Sequence, residues 1–574
     1  MLRIPKKTLE DGYLLEDFQH DFTALQQMIE EKSSSGGSSV KNVRDYGITG
    51  SHLDNNTTQI KKLINEGGEI YFPAGTYNLH ETVTIPSNTT IICDKDVLFV
   101  RKHYYNMIET KTTKDTTSYN GANNVTIIGG TFQHDGDTGT GDAFVILHAD
   151  TVNLHNVTIK DVVGGSGVAI LGSKNVNITS CILTGYSGST ADLNEGIKIE
   201  PACYYNSLRY SSSDATFDLT PSENILIENC IIYSSTKNKT YPLGIGARLQ
   251  YALKTRNKNI TIRNNKIEGD AWYSSCYGIK CTSYENILIE GNTIIGHKNS
   301  IGFDIPGKIY NADGSTLIPD GVSYQDEDMY GVASKNIFIK NNILETDKDN
   351  WTPRGCIWLN IAEKAITDSG SNVPKYRNVF IEGNMLHCLN TKTHQYAIEL
   401  EATEEAFVAN NIIKSAHSDT WGVYVLDYSK NVTVGVNRYE NIQRDKEFFI
   451  KENAENIKKI GRTKLWSGSA YSSNTNMNLT YSMSHFDVIM FEYDLLGYNY
   501  KELNIASGET QSLREFNLAD SATSKTIMYG EIRVKKNTDT QIVLNGNKTL
   551  SSDGTIKTDD STCKIYSIYG INYQ

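Results

Sequence analysis

Between residues 122 and about 440, apolar and polar residues alternate in short runs that recur along the chain. Each run has the form x-x-Asn-Val/Ile-x-Ile-x-x-Asn-x-Ile, as in SENILIENCII, NKNITIRNNKI and SKNIFIKNNIL. Within a run, pairs such as Ile225 and Ile227, or Ile260 and Ile262, have the period of two of a β-strand, so every second side chain points to the same side. The pattern therefore predicts a series of short strands, each with one buried face.

The spacing of the runs predicts how the strands assemble. Successive copies start roughly 24 to 27 residues apart, with gaps of about 35 to 50 where longer connections intervene, which is the period of a β-solenoid coil. Stacked coils would bury a continuous aliphatic core, so we expect an all-β protein built on a right-handed, single-stranded parallel β-helix. One slot of each run is expected to form a buried structural column, with Asn in the left-handed conformation and amides bonded from coil to coil. That slot holds Asn156, Cys181, Cys230, Asn265, Asn292, Asn342, Asn384, Asn411 and Asn437.

Different patterns precede and follow the repeats. Apolar residues at heptad spacing occur at Leu15, Phe18, Phe22, Leu25 and Ile29, and the flexible sequence SSSGGSS follows at 33–39. We interpret residues 1–39 as a helical stem and linker for attachment and trimerisation; an amphipathic helix packed on a domain is the alternative. Residues 40–445 are assigned to the β-helix. Residues 446–574 lack the repeat but are β-rich, and are assigned to a C-terminal β-sandwich that trimerises or binds glycans.

Composition excludes several classes of protein. The formal net charge of −12 and the lack of clustered Lys and Arg argue against a nucleic-acid partner. No apolar stretch is long enough for a signal peptide or a membrane span, which favours synthesis in a host cytoplasm and release by lysis. The nine cysteines include no CxxC pair, so neither a disulfide framework nor a zinc site is indicated.

Two segments resemble a known family. The order DYG, a short helix over residues 55–65 with Asn56 or Thr57 as its cap, and then GGEIYFPAGTYNL resembles the opening of phage tailspikes and other pectin-lyase-like proteins. The C-terminal segment is similar to the small β-sandwich modules of phage tail fibres. The resemblance implies a helix that caps the first coil. It also implies a homotrimer on the virion, attached through the stem to phage tail or neck proteins.

The segment GYSGSTADLNEGIKIEPA contains the main candidate site. Its alternation places Ile197 and Ile199 inward and Lys198 and Glu200 outward. It resembles the NEAIQID strand of tailspike-like proteins, whose acidic residues line the presumed active groove. This implies catalytic roles for Asp192 and Glu195, on the loop entering the strand, and for Glu200. Counting back from the asparagine turn of the next repeat places Arg248 on the same face, and we expect it to take part in catalysis. The expected substrate-binding residues are Lys198, Lys280, Asp304, Tyr205 and Tyr251, and the outward residues Glu399 and Glu401 lie several coils further on.

This residue set is compatible with several reactions. Paired carboxylates cleave glycosidic bonds by acid/base catalysis, whereas Arg248 with Lys198 and Lys280 could stabilise a phosphodiester. The pairing of EGIKIE with GIGAR resembles appendage proteins of phages whose hosts display teichoic acid, which implies a hydrolase acting on teichoic-acid phosphodiesters. The alternatives are an exopolysaccharide glycosidase or lyase and a glycan-binding tail fibre without activity; a secreted pectinase-like enzyme is disfavoured. No cofactor is required by default, and a calcium or magnesium ion on the acidic oxygens is possible.

Overall fold

The computed structural model of the protein describes residues 40–135, 139–188, 194–202, 217–247, 256–270, 276–305, 333–348, 354–362, 373–495, 498–503, 510–518, 527–551, 555–561 and 563–572. The predicted stem, residues 1–39, lies outside these ranges. Within them the chain winds through three long parallel sheets, and each turn of the chain adds one strand to each sheet. This arrangement is a parallel β-helix, as the sequence predicted.

The three sheets contain 14, 12 and 12 strands among the described residues. Sheet 1 consists of Lys41–Asn42, Gly68–Phe72, Thr89–Cys93, Asn123–Ile128, Asp150–His155, Lys174–Thr179, Glu223–Glu228, Asn257–Arg263, Tyr284–Glu290, Lys335–Lys340, Tyr376–Glu382, Thr403–Ala409, Lys430–Val434 and Lys458–Lys459. Sheet 2 consists of Gly75–Leu79, Val97–Arg101, Thr131–His134, Thr158–Val163, Ile182–Ser187, Ile231–Tyr233, Lys266–Glu268, Thr293–His297, Ile343–Thr346, Met385–Cys388, Ile412–Ser415 and Arg438–Glu440. Sheet 3 consists of Val83–Ile85, Ile108–Thr110, Phe144–Leu147, Val168–Leu171, Glu195–Glu200, Leu243–Gly246, Tyr277–Cys281, Asn299–Ile305, Gly355–Ile361, Tyr396–Leu400, Trp421–Val425 and Phe448–Ile450.

The core is built from columns of aliphatic side chains that stack in register. In sheet 3, Ile197 pairs with Ile245, which pairs with Ile279, which in turn pairs with Ile301. All four side chains are fully buried. Because each coil repeats the same inward positions, every added coil extends one continuous core instead of enlarging a globular one. The period of two seen in the sequence is therefore the direct cause of the architecture.

A buried amide column accompanies the aliphatic ones. Asn265 donates from Nδ2 to Oδ1 of Asn292 at 2.9 Å, and Asn292 donates to Asn342 at 3.0 Å. The same bond continues through Asn384, Asn411 and Asn437 at 2.9 to 3.0 Å. The predicted bonding from coil to coil is confirmed.

The predicted backbone conformation of that column is wrong by one residue. From Cys181 to Asn411 the left-handed residue is the one before each column position, as in Asn264 (φ 57°) and Asn341 (φ 55°). In an early coil Asn156, which was assigned to the column, is itself the left-handed residue (φ 55°), and the column position is taken by Val157. The Val157 carbonyl accepts a hydrogen bond from the next coil, as the carbonyls of Cys181 and Cys230 do. The turn thus uses one residue for its backbone and its neighbour for its side chain.

The helix Thr57–Asn65 closes the first coil. It buries Ile60, Leu63 and Ile64, and Ile60 and Ile64 face Phe72 and Val83 of the first coil. The capping bond differs from the two expected: the side chain of Asn55 accepts from the Thr57 amide at 3.2 Å, and Asn56 makes no side-chain cap. The helix keeps the open end of the aliphatic core from water. Short 3₁₀ helices occur at Val43–Tyr46, Arg444–Lys446 and Met483–His485.

Parallel pairing extends to Lys459, beyond the boundary at 445 that the repeat suggested. Antiparallel pairing begins at Gly461 and builds two sheets. One sheet contains Gly461–Ala470, Val488–Asp494, Tyr498–Leu503 and Lys564–Asn572; the other contains Thr475–Asn478, Thr510–Leu518, Ile527–Thr538, Gln541–Ser551 and Ile556–Thr558. The two sheets are joined by side chains, for example Tyr493, whose hydroxyl donates to Glu515 at 2.7 Å.

Eight of the cysteines lie in the described part of the chain, and all eight are buried. They act as small apolar residues of the core. In the same part of the chain, no helix has both the length and the apolar character needed to cross a membrane.

Candidate outer-face site on sheet 3

The outward positions of sheet 3 follow one register line from coil to coil. From Val145 onward its members are Val145, Ala169, Lys198, Gly246, Lys280, Gly302, Trp358, Glu399, Tyr424 and Phe449, and Thr84 and Glu109 precede them. From Val145 to Phe449 the side chains change from apolar to charged to aromatic. At the apolar end, Val145, Leu147, Ala169 and Leu171 form a small second core with Ala202 and Phe217. Outward residues in these early coils are therefore not exposed to solvent.

The charged section brings together four of the predicted residues as two ion pairs. Lys198 lies 3.5 Å from Glu195, and Lys280 lies 3.3 Å from Asp304. Glu195 also accepts from the Ser166 hydroxyl at 3.1 Å. We call Glu195, Lys198, Lys280 and Asp304 the ion-pair patch. Because Lys198 and Lys280 occupy the same register position two strands apart, roughly 10 Å separates the two pairs.

Two expectations about this section need correction. Glu195 is the first residue of the strand Glu195–Glu200, not part of the loop before it. Glu195, Lys198 and Glu200 were expected to point outward and line a cleft; in the structure Glu195 and Glu200 are fully buried and Lys198 is 3% exposed. Alternation along a strand fixes which face a side chain takes, and burial depends on what covers that face. Asp192, Arg248, Tyr205 and Tyr251 lie outside the described residues.

Further along the line, aromatic rings from consecutive coils contact one another. Tyr396 and Tyr424 have ring centroids 4.5 Å apart, and Tyr424 stacks on Phe449 at 4.5 Å with an interplanar angle of 12°. Trp421 packs against Tyr424 at 5.6 Å and against Phe449 at 5.2 Å. All four rings remain partly exposed. We call Tyr277, Trp358, Tyr396, Trp421, Tyr424 and Phe449 the aromatic row.

Tyr277 and Gly302 link the patch to the row. The Tyr277 ring stacks on Trp358 with centroids 6.3 Å apart, and the Lys280 ammonium lies 5.3 Å from the Tyr277 centroid. A Cβ on Gly302 would lie 3.0 Å from two carbons of the Tyr277 ring, so any other residue would push the ring by a few tenths of an ångström. The glycine therefore allows the aromatic surface to begin directly beside the ion-pair patch.

Glu399 stands within the row and is its central titratable group. The Trp358 indole Nε1 donates to Glu399 Oε1 at 2.9 Å, and the Glu399 side chain is 8% exposed. Burial raises the pKa of Glu399 to about 7, against the opposing effects of the Trp358 hydrogen bond and the Arg354 charge. The Arg354 guanidinium itself lies over the Trp358 ring, 4.1 Å from its centroid. Glu399 is thus a carboxyl group that holds its proton close to neutral pH.

Glu401 supplies a second carboxyl group two residues further along. Burial raises the pKa of Glu401 as well, and the negative charge of Asp427 raises it further. The backbone amide of Ile361 lowers it by donating a hydrogen bond to Oε2 at 3.3 Å. We call Glu399 and Glu401 the carboxyl pair. The pKa values of Tyr396 and Tyr424 are raised by burial first and then by neighbouring charges that include Glu399, which places both rings beside that carboxyl.

The arrangement can perform proton transfer next to a stacked ring. It combines a carboxyl with a pKa of about 7, a second carboxyl and a partly exposed aromatic surface, which are the groups that bind and cleave sugars. The alternation had placed Glu399 and Glu401 outward but gave no sign of Trp358 or Tyr424. Register alignment of GCIWLNI with YAIELEA would have set Trp358 opposite Glu399. Within the described ranges, no group of three or more His, Cys, Asp or Glu residues is placed to hold a metal ion.

Comparison with known proteins gives the fold and one distant relative. A family model described as rhamnogalacturonase A/epimerase, pectate lyase-like, matches residues 40–238. The chain is 26% identical over 452 residues to the plasmin and fibronectin-binding protein A of Streptococcus pneumoniae (strain ATCC BAA-255 / R6), and the match covers 72% of this chain. The chain spans 58% of the length of that relative.

Two of the solved structures that share the architecture are an adhesin and a tailspike. PfbA, a surface adhesin of Streptococcus pneumoniae, superposes with a TM-score of 0.52 at 19% identity, covering 81% of this chain and 98% of that one. A double-mutant tailspike protein of Escherichia coli bacteriophage HK620 superposes with a TM-score of 0.52 at 11% identity, covering 96% of this chain and 95% of that one. At these identities the likeness shows the fold alone, and both a phage tailspike and a bacterial surface adhesin have it.

Proposed function

We propose that the chain binds a bacterial surface polysaccharide along the aromatic row and hydrolyses its glycosidic bonds at the carboxyl pair. The observation that carries the proposal is the Glu399 carboxyl, which is buried, hydrogen-bonded to Trp358 and has a pKa of about 7. Glycosidic cleavage requires an acid that still holds its proton near neutral pH and gives it to the leaving oxygen. Glu401 acts as the second carboxyl, which activates water or attacks the sugar carbon directly.

The aromatic row provides the binding surface in this proposal. Sugar rings stack their apolar faces on aromatic side chains, and rings on consecutive strands repeat about every 4.8 Å. The row therefore suits an extended polymer that runs parallel to the axis of the β-helix. The carboxyl pair lies between Trp358 on one side and Tyr424 on the other, so a bound polymer would pass directly over Glu399.

Teichoic-acid phosphodiester hydrolysis, the first expectation from the sequence, is less well supported. A phosphodiester needs cations that are available to its oxygens. Lys198 and Lys280 each have a carboxylate within 3.5 Å, and Arg248 lies outside the described residues. A protonated glutamic acid among aromatic rings is suited to a sugar instead.

The biological setting is also part of the proposal. The motifs at residues 67–79 and the tailspike likeness support a receptor-binding spike on a phage virion, assembled as a homotrimer. Static light scattering of the full chain at micromolar concentration should give three times the chain mass of 64.0 kDa. A mass equal to one chain would contradict trimerisation, but it would not bear on the proposed reaction at the carboxyl pair.

A second candidate function is adhesion without cleavage. The similarity to a plasmin- and fibronectin-binding surface protein favours it, since that protein is named for binding and not for catalysis. In this case the aromatic row would only hold its ligand, and the pKa of Glu399 would have no role in a reaction.

Cleavage assays separate the candidates. The purified chain is incubated with exopolysaccharide and, separately, with wall teichoic acid from candidate hosts, and the products are followed by mass spectrometry. Sugar fragments are expected, and Glu399→Gln should slow their release at least 100-fold while polymer binding is kept. Glu290→Gln is the matched control, because Glu290 ends the strand Tyr284–Glu290 on the outer face of sheet 1.

Each other outcome has a definite meaning. Cleavage by Glu399→Gln at the rate of the natural chain would contradict the role of Glu399. Bound but intact polymer with every substrate would favour the adhesin. Fragments ending in phosphate would restore the teichoic-acid phosphodiesterase.

A further inference from the structure

A polar cavity of about 510 Å³ lies where the last coil of the β-helix meets the C-terminal sheets. Its walls come from both parts, with Glu447 and Lys459 from the final coil and Thr463, Glu492 and Tyr569 from the antiparallel sheet that follows. Its size falls within the range of sites that bind small molecules. None of these residues belongs to the aromatic row or to the carboxyl pair.

The Thr463 hydroxyl is the feature that indicates a ligand. Thr463 is 6% exposed, lines the cavity, and its Oγ1 has no hydrogen-bond partner among the residues that the structure describes. A buried hydroxyl nearly always has a partner, because leaving it without one costs free energy. A bound molecule with its own hydroxyls would satisfy Thr463, since each hydroxyl both donates and accepts.

Charged groups of both signs surround the cavity. Lys459 lies 3.5 Å from Glu447, and Glu492 accepts from the Tyr569 hydroxyl at 2.8 Å. The cavity has three cationic lining residues, Arg444, Lys459 and Lys464, and three anionic ones, Asp445, Glu447 and Glu492. Because the formal charges cancel, the lining offers donors and acceptors without favouring a charged ligand.

Aromatic side chains complete the walls. The Phe448 and Tyr481 ring centroids lie 6.2 Å apart, and Lys464 sits 5.6 Å from the centroid of the Tyr569 ring. Apolar rings beside mixed donors and acceptors match the surface of a sugar, which has hydroxyls at its edge and C–H groups on its faces. Burial lowers the pKa of Lys459, which fits an ammonium largely withdrawn from water.

We infer that this cavity binds one or two units of a neutral saccharide, separately from the site on sheet 3. The inference goes beyond the proposed function, because it needs neither cleavage nor Glu399. The cavity lies at the end of sheet 3 where the aromatic row ends, because Phe448 lines the cavity and Phe449, on the same strand, is the last ring of the row. It would therefore give the polymer a second point of attachment.

Saturation-transfer NMR on the full chain tests the inference. The probes are glucose, galactose and N-acetylglucosamine, their disaccharides cellobiose, lactose and diacetylchitobiose, and glucuronate as a charged comparator. Glu399→Gln serves as the parent chain so that no probe is cleaved. At least one neutral probe should bind, and glucuronate should bind no better than glucose.

Three variants locate the binding. Thr463→Val should weaken it about 3- to 10-fold, the effect of one hydrogen bond. The thermal midpoint should not fall, because the lost hydroxyl has no partner in the described part of the chain. Lys459→Met should weaken it at least 10-fold, and Lys458→Met, at the exposed neighbouring position, should not. The inference is overturned if no neutral probe binds, if glucuronate binds best, or if binding is lost with Tyr424→Ala but kept with Thr463→Val.

Discussion

The ion-pair patch and the aromatic row occupy the same face of sheet 3, yet their carboxyl groups have opposite surroundings. In the patch, Glu195 faces the Lys198 ammonium at 3.5 Å. In the row, Glu399 accepts from an indole N–H, and its pKa is raised to about 7. Burial raises the pKa of the Glu399 carboxyl, so this group can exchange its proton near neutral pH. The comparison shows that the groups a carboxyl contacts indicate its chemical role better than its position on an outward face does.

The largest expected difference between the two regions is in catalysis. Glu399→Gln should lower polymer cleavage by about 10²- to 10⁴-fold, because it removes the proton donor and keeps the shape. Glu195→Gln should leave the rate per folded molecule within about twofold. Both are measured by reducing-end release with the folded fraction checked by circular dichroism. A larger loss in Glu195→Gln than in Glu399→Gln would reverse the assignment and support the site first expected from the sequence.

The second difference is in stability. Lys198→Met leaves the fully buried Glu195 without its cation and should destabilise the fold by about 3 to 5 kcal/mol. Lys280→Met should cost roughly 1 to 2 kcal/mol, because Asp304 is 21% exposed and water screens its charge. Thermal midpoints compare the two, and the double variant Glu195→Gln/Lys198→Met should recover much of the loss. Equal midpoints for Lys198→Met and the natural chain would show that the pair contributes nothing.

A third test changes the pKa of Glu399 without touching its carboxyl. Trp358→Phe removes the N–H donor that holds the pKa down, so the pKa should rise further. Activity needs the protonated form and is lost as the pH rises through the pKa, so the alkaline limb of the pH–rate profile should move to higher pH. Trp421→Phe, which removes an indole that packs on Tyr424, should leave the limb in place. A shift to lower pH in Trp358→Phe would refute the proposed hydrogen-bond effect.

The smallest expected effect is on binding alone. Tyr424→Ala removes a ring that contacts Tyr396, Trp421 and Phe449, and should weaken polymer binding about 5- to 20-fold. Turnover of the bound polymer should stay nearly constant. Tyr46→Ala is the control, since Tyr46 is an exposed tyrosine near the opposite end of the chain. Unchanged affinity in isothermal titration would remove the aromatic row from the binding surface.

The fold was predictable because the sequence pattern that determines it lies within short runs and is repeated along the chain. The alternation at Ile225 and Ile227 gives the inward face of one strand, and ten copies of the run give the stack. The residue with the left-handed backbone was harder to identify. Asn264 and Asn265 are adjacent and identical in type, and spacing alone does not say which one turns the chain and which one bonds to the next coil.

The site was predictable only in part because its contacts cross between coils. Outward positions such as Lys198, Lys280 and Glu399 follow from alternation, but their partners depend on which strands become neighbours. Trp358 and Glu399 are separated by 41 residues and a connection of irregular length. With 34 tyrosines in the chain, composition could not single out Tyr424. The patch and the row differ in ion pairing and burial, which depend on contacts between coils that are far apart in the sequence.

The most direct test of the account is an infrared titration of Glu399. Difference spectra between pH 5 and pH 9 are recorded for the natural chain and for Glu399→Gln. The account predicts a protonated-carboxyl band that disappears with a midpoint near pH 7 in the natural chain and is missing from Glu399→Gln. A band that is the same in both chains, or a Glu399 titration near the ordinary glutamate value of about 4.3, would contradict the claim that this carboxyl is the proton donor.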